Sequence, residues 1–160
     1  MDKKTVCSIM LRDPYSVLVV IQNTQNQFLV MQRADDPSFW QSVTGGIEQN
    51  ETALACAYRE VLEETGINCH KQDLTIKDLN ITNRYEIRTQ WRSRYKPNST
   101  INTEFVFHLL VPITQPIVLH PNEHLAYKWL NYQDTLEILW SDSNKQAITY
   151  CYENTMCKLI

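Results

Sequence analysis

Between Gly45 and Ile67 the chain runs GGIEQNETALACAYREVLEETGI, and this stretch constrains the fold more than any other. Thr52 carries the side chain of a helix N-cap and Gly66 has the freedom of a C-terminal stop, so the spacing predicts a helix from about Ala53 to Glu64. Leu54, Ala57 and Val61 fall at i, i+3 and i+7 and predict its apolar face. Glu60, Glu63 and Glu64 stand at i, i+3 and i+4, so three carboxylates leave the helix on one side. Like charges so placed repel one another unless a cation gathers them. Hard oxygen ligands with no adjacent Cys or His favour Mg²⁺ or Mn²⁺ over zinc. The loop from Gly45 to Asn50 sits just before the helix and lets backbone come close to a ligand. A carboxylate cage of this kind suits gripping a di- or triphosphate. Taken alone, a Glu-x-x-Glu-Glu run is more often a solvated helix face.

The rest of the chain predicts strands around that helix. Tyr15 to Ile21 is a β-branched apolar run, Asn23 to Asn26 a polar turn, and Phe28 to Met31 the returning strand of a hairpin. Trp40 to Val43 reads as one short strand ending at Gly45-Gly46. Leu74 to Ile87 holds one or two strands, Thr103 to Pro112 is the clearest later one, and Ala126 to Leu130 is short. Two helical stretches close the chain, about Tyr132 to Leu139 and Ser143 to Asn154, with Ser143 as the second cap. Strands mixed with helices of this length indicate an α/β layer structure. At 160 residues without a repeat or a Gly/Ser/Pro-rich linker, positions 1–160 read as a single domain.

Charge narrows the partners. Lys plus Arg number 15 against 18 Asp plus Glu, a net charge of -3, so no bulk positive field exists to hold nucleic acid or a phosphate-rich ligand. A local basic patch or a metal must do that work. The five cysteines (Cys7, Cys56, Cys69, Cys151, Cys157) form no Cys-x-x-Cys pair, and Cys56 and Cys69 read as small buried hydrophobes in a reducing compartment. Lys3 and Lys4 precede only the short apolar run Val6 to Leu11, too short for a signal-peptide core, and no run approaches a membrane span. A cytoplasmic protein is the expectation.

The spacing of the whole helix segment goes further than its glutamates. Gly45, Glu51, Arg59-Glu60-Val61, Glu63-Glu64 and Gly66-Ile67 occupy every fixed position of the Nudix box, and the chain therefore resembles the Nudix hydrolases. The resemblance implies an α/β/α sandwich with a mixed β-sheet and a catalytic strand-loop-helix-loop motif. It implies that Glu60 and Glu64 hold a catalytic Mg²⁺, that Glu63 is a further ligand or a carboxylate behind the ligands, and that Arg59 pairs with Glu51 to orient the helix. The flanking blocks RADDPSFWQSVTGG, RSRYKP, NTE, EHLAYKW and SNKQAI are similar, in order from about Arg12 to Ile148, to bacterial members of the family that act on dihydroneopterin triphosphate. That resemblance implies Mg²⁺-dependent hydrolysis of the pterin triphosphate to its monophosphate and pyrophosphate, in folate synthesis. It further implies a metal carboxylate from Glu123, and a substrate pocket lined by Arg12, Arg33, Thr44, Tyr85, Glu86, Ile87, Arg88 and Ser141. The expected partner is a small-molecule triphosphate, with no nucleic acid and no membrane, for a monomer or weak homodimer.

Other readings compete. Asn83 to Lys96 interleaves Arg84, Arg88, Arg92, Arg94 and Lys96 with Tyr85, Trp91 and Tyr95. It fits a single-stranded nucleic-acid surface, a solvated loop, or a source of arginines and aromatic platforms for a pterin triphosphate. Phe39 and Trp40 are placed either in the core or against a ring, and Trp129 in the core. His108 reads as a strand residue and His124 as a neighbour that tunes Glu123. The alternatives are a Nudix enzyme acting on nucleoside triphosphates such as dATP and, more distantly, a non-catalytic adaptor that binds nucleotide or RNA.

Overall fold

The apolar run that opens the chain becomes the centre of the sheet. A computed structural model describes residues 10–157. Lys3, Lys4, Cys7 and the start of the Val6 to Leu11 run lie outside the described residues, as does the side chain of Cys157. Strand β1 (Tyr15–Asn23) turns through Asn26, at φ 60°, into β2 (Phe28–Arg33). The Asn23 carboxamide oxygen accepts from the backbone N–H of Gln25 and of Gln27, each at 3.0 Å, which closes the turn. Next come β3 (Trp40–Gln41), β4 (Val43–Gly46), α1 (Ala53–Thr65), β5 (Lys77–Glu86), a 3₁₀ turn (Thr89–Arg94), β6 (Ile101–Val111), β7 (His124–Leu130), α2 (Tyr132–Ile138) and α3 (Asp142–Cys157).

The seven strands form one mixed sheet. β1 runs parallel to β6 from Tyr15↔Thr103 to Asn23↔Val111, and on its other side pairs antiparallel with β4 at Ser16 to Val19. β2 pairs antiparallel with β3 and β7, and β5 with β6. Successive β1 side chains serve opposite faces. Val17, Val19 and Ile21 pack with Leu29, Met31, Phe107 and the α1 residues Cys56, Ala57 and Val61. Leu18 and Val20 pack with Phe28, Val30, Val106 and the α3 residues Ala147, Ile148 and Cys151. A strand buried on both faces reads as a near-continuous apolar run, as β1 does from Val17 to Ile21. Helices on both faces of a mixed sheet make the expected α/β/α sandwich.

Three local expectations are corrected. Leu54 does not join the inward face of α1 and is 43% exposed. That face runs through Cys56, Ala57, Glu60, Val61 and Glu64, while Ala53 and Ile47 cover the core beside the first turn. The strand expected over Trp40 to Val43 is two strands, because Ser42 is drawn out by Asn144. The Asn144 carboxamide accepts from Ser42 N at 2.9 Å and donates to Ser42 Oγ at 2.8 Å. The cap of α3 is Ser141 rather than Ser143: its Oγ accepts from Asn144 N and its carbonyl from Lys145 N. The Ser143 hydroxyl is turned toward Glu104 instead.

Candidate active site

Helix α1 is fixed at both ends. Thr52 Oγ accepts from Ala55 N at 3.1 Å, and Gly66, at φ 74°, donates its N–H to Leu62 O. This holds Glu60 and Glu64 on the buried face, 8% and 4% exposed, and leaves Glu63 outward and half-exposed. Gly45 makes room for them: a Cβ there would fall inside the Glu60 carboxyl group. Arg59 ties the loop to the helix. Its Nε and Nη2 donate to the two oxygens of Glu51 at 2.8 and 2.9 Å, and Nη2 also reaches Gly46 O at 3.0 Å. Nη1 reaches Glu60 Oε1 at 2.8 Å and Glu63 Oε2 at 3.2 Å. The pairing of Arg59 with Glu51 is therefore observed, and it draws the Glu51 carboxyl down to about 2.

Burial has the opposite effect on the inner glutamates. It pushes the Glu60 carboxyl up to about 8, with the neighbouring charge of Glu64 adding to the rise and Arg59 opposing it. Burial also raises Glu64, against the pull of His124 and of the Thr44 N–H, which donates to Glu64 Oε2 at 3.3 Å. Glu123, exposed on the turn before β7, completes a trio: ligand atoms of Glu64, Glu123 and His124 lie within 4.8 Å of one another. His124 is 4% exposed, and its Nε2 stands 3.4 Å from Glu64 Oε1. At that separation the groups attract, but neither ring nitrogen makes a hydrogen bond. His124 thus meets Glu64, not only the Glu123 it was expected to tune. Crowded carboxylates beside a buried imidazole that makes no hydrogen bond suit a hard divalent cation, with oxygen as the main donor.

These carboxylates form one end of a cleft of about 530 Å³. Arg12, Arg33, Thr44, Gly45, Tyr85, Glu86, Ile87, Arg88 and Ser141 all line it, with Glu60, Glu64 and Glu123. Glu51, Arg59, Glu63 and Gly66 lie behind the lining. Aromatic rings gather on the same cleft. Phe39 stacks on Trp140 at 4.8 Å between centroids and meets Trp91 edge-on at 5.7 Å. The Arg88 guanidinium sits 4.6 Å from the Trp91 centroid and 4.8 Å from that of Trp140, and Arg33 lies 4.6 Å from Trp91 on the same group. Phe39 is buried yet faces the cleft, so it answers both of its expected placements; Trp129 packs against the core. Sequence reasoning did not find Trp140, Asn144, or Glu104, which also lines the cleft. The signal for Glu104 was there: it is the one acid in the strand TEFVFHLLVP.

The strand-loop-helix motif and sandwich define the class: the chain belongs to the NUDIX domain family, whose match spans residues 12–151, and it is a Nudix hydrolase. It is 47% identical over 137 residues to the dihydroneopterin triphosphate diphosphatase of Escherichia coli K12, covering 84% of this chain and 89% of that one. Against the dihydroneopterin triphosphate diphosphatase of Haemophilus influenzae it is 37% identical over 134 residues, covering 83% and 84%. Among solved structures, that of the E. coli dihydroneopterin triphosphate pyrophosphohydrolase superposes with a TM-score of 0.85 at 44% identity, over 91% of this chain and 99% of that one.

Proposed function

We propose that this Nudix hydrolase cleaves 7,8-dihydroneopterin triphosphate to dihydroneopterin monophosphate and pyrophosphate, a step of folate synthesis. The observation that carries the reading is the cleft: it joins a carboxylate cage to an arginine-and-aromatic wall in a chain close to enzymes named for this substrate. In this reading Glu60, Glu64 and Glu123 hold Mg²⁺, for which Mn²⁺ can substitute. The bound ion neutralises phosphate charge and polarises the phosphorus centre. Arg33 and Arg88 take phosphate oxygens, leaving their present partners Asp35 and Asp36. Thr44 and Ser141 orient the substrate from the floor. A glutamate oxygen of the cage takes the proton of the attacking water, and the α–β anhydride bond breaks as the new P–O bond forms. Glu63, which meets Arg59 rather than the cleft, supports the cage from behind.

The basic stretch from Asn83 to Lys96 fits this reading better than a nucleic-acid surface. Arg88, Arg94 and Lys96 turn toward Asp36, Asp35 and Asp13 of the same chain. No described helix is long and apolar enough to cross a membrane. A cytoplasmic monomer or weak homodimer acting on a small molecule is the corresponding picture.

The test is a Mg²⁺-dependent assay on dihydroneopterin triphosphate beside dATP and GTP, separating pyrophosphate from orthophosphate. Pyrophosphate released fastest from the pterin, and lost with chelator, is the expected result. Release from nucleotides alone would move the chain to nucleotide metabolism, and no release would leave an adaptor. Glu60→Gln and Glu64→Gln should each lower kcat by about 100- to 10,000-fold with the fold intact.

A further inference from the structure

The cleft contains a buried acid, outside the carboxylate cage, that the phosphate chemistry does not use. Glu104 of β6 is 3% exposed and lines the cleft, yet among the described residues no lysine or arginine pairs with it. Its contacts are long and neutral. Asn83 Nδ2 and Ser143 Oγ donate to Oε1 at 3.3 and 3.4 Å, and Tyr85 Oη donates to Oε2 at 3.3 Å. The Tyr85 proton is committed there, because Asn102 Nδ2 donates to Tyr85 Oη at 3.0 Å and to Ser16 Oγ at 2.7 Å. Ser143 has a shorter alternative in Ser141 Oγ at 2.9 Å and can release Glu104. A carboxylate has about four acceptor sites, so one is open at Oε2 and a second opens when Ser143 turns. Asn102 Oδ1, buried beside them, has no hydrogen bond at all. Burial raises the Glu104 carboxyl above its usual range, and strong N–H donors would favour its charged form.

Position matches chemistry. Ser16 of β1 pairs with Glu104 on one side and with Gly46 on the other. Glu104 is therefore two strand spacings, about 10 Å, from the glycine loop that abuts the metal glutamates. The ring and three-carbon chain of a pterin triphosphate bridge that gap, with the far edge of the ring at Glu104 and the phosphates at the glycine loop. We infer that Glu104 reads the ring edge of the substrate by accepting two parallel N–H groups, the ring N–H and exocyclic amine of a 2-amino-4-oxopyrimidine. Pterin and guanine share this edge. Adenine presents an acceptor nitrogen beside its amine and would set a lone pair against a carboxylate oxygen. The inference rests on the cleft being the triphosphate site and names what sets its ring specificity.

Two arms test it. Calorimetric titration of the metal-free protein compares pterin with lumazine, which carries a carbonyl oxygen in place of the 2-amino group. Kinetics compare dihydroneopterin triphosphate, GTP and ATP. Wild type should bind pterin about 10- to 100-fold more tightly than lumazine. In Glu104→Gln that preference should collapse, and kcat/KM should fall by about the same factor for the pterin and GTP, mainly through KM, with a far smaller fall for ATP. If thermal melting shows that variant unfolded, Glu104→Asp, which withdraws the charge by one methylene, must show the same collapse. Equal binding of pterin and lumazine overturns the inference, as does a preference that survives the substitution or an equal loss on all three triphosphates. Preference for GTP without pterin turnover places guanine in the site and leaves Glu104 as its reader. Absence of pyrophosphate release defeats the proposed function alone, because the pterin–lumazine arm still decides the role of Glu104.

Discussion

Arg59 holds the site together without lining the cleft. Its guanidinium spans Glu51, the Gly46 carbonyl, Glu60 and Glu63, so loop and helix are locked through one planar group. Because Arg59 draws Glu51 down to about 2 from an ordinary 4.5, the stability from this pair is present in full above pH 4.5 and is lost as pH falls toward 2. Glu51→Gln should therefore cost about 1–3 kcal/mol at neutral pH and about a quarter of that near pH 2.5, read by urea unfolding at both values. A gap of equal size at both would place its origin elsewhere. The Glu51–Arg59 pair was legible in the sequence because both residues belong to one local motif. Glu104 was passed over because its meaning depends on Asn83 and Tyr85 of β5 and Ser143 of α3, two elements far from it in the chain.

Helix α1 shows how far local signals reach. Its extent is recovered to within a residue because Thr52 and Gly66 set its ends by chemistry within the segment. Its apolar face was only partly legible: two of its inward positions are glutamates, and Leu54 lies at the rim. The break between β3 and β4 was not legible, since the Asn144 that causes it lies 102 residues further along the chain. The helix and its preceding loop act as a unit through Gly45, whose missing side chain is the space Glu60 occupies. Gly45→Ala should leave the helical circular dichroism signal in place and weaken Mn²⁺ binding by about 10- to 100-fold, as displacement of a ligand's support does. Wild-type affinity in that variant, measured by Mn²⁺ titration, would mean that Glu60 is not held by this contact.

Over the whole molecule, the sheet carries both ends of the cleft on one rigid layer. β4 and the adjoining helix present the carboxylates, β5 and β6 present Tyr85 and Glu104, and β1 joins them between two buried cores. An α/β layering followed from the mix of strands and helices, and the sandwich from the family resemblance. Which strands are neighbours did not follow from the runs themselves, since β1 pairs with β6 88 positions further along the chain. The same architecture couples metal to stability. Glu60 and Glu64 are held close on one buried face before any ion arrives, and their repulsion is built into the folded state and absent from the unfolded chain. A cation that binds only the folded form adds about 2.7 kcal/mol at a hundredfold excess over its Kd. For a chain of this length that raises Tm by about 5–10 °C. Calorimetry should show that rise with Mg²⁺ or Mn²⁺, and its disappearance in the Glu60→Gln/Glu64→Gln double variant, which should itself melt higher than metal-free wild type because the buried repulsion is gone. A rise that persists in the double variant would place the cation at another site.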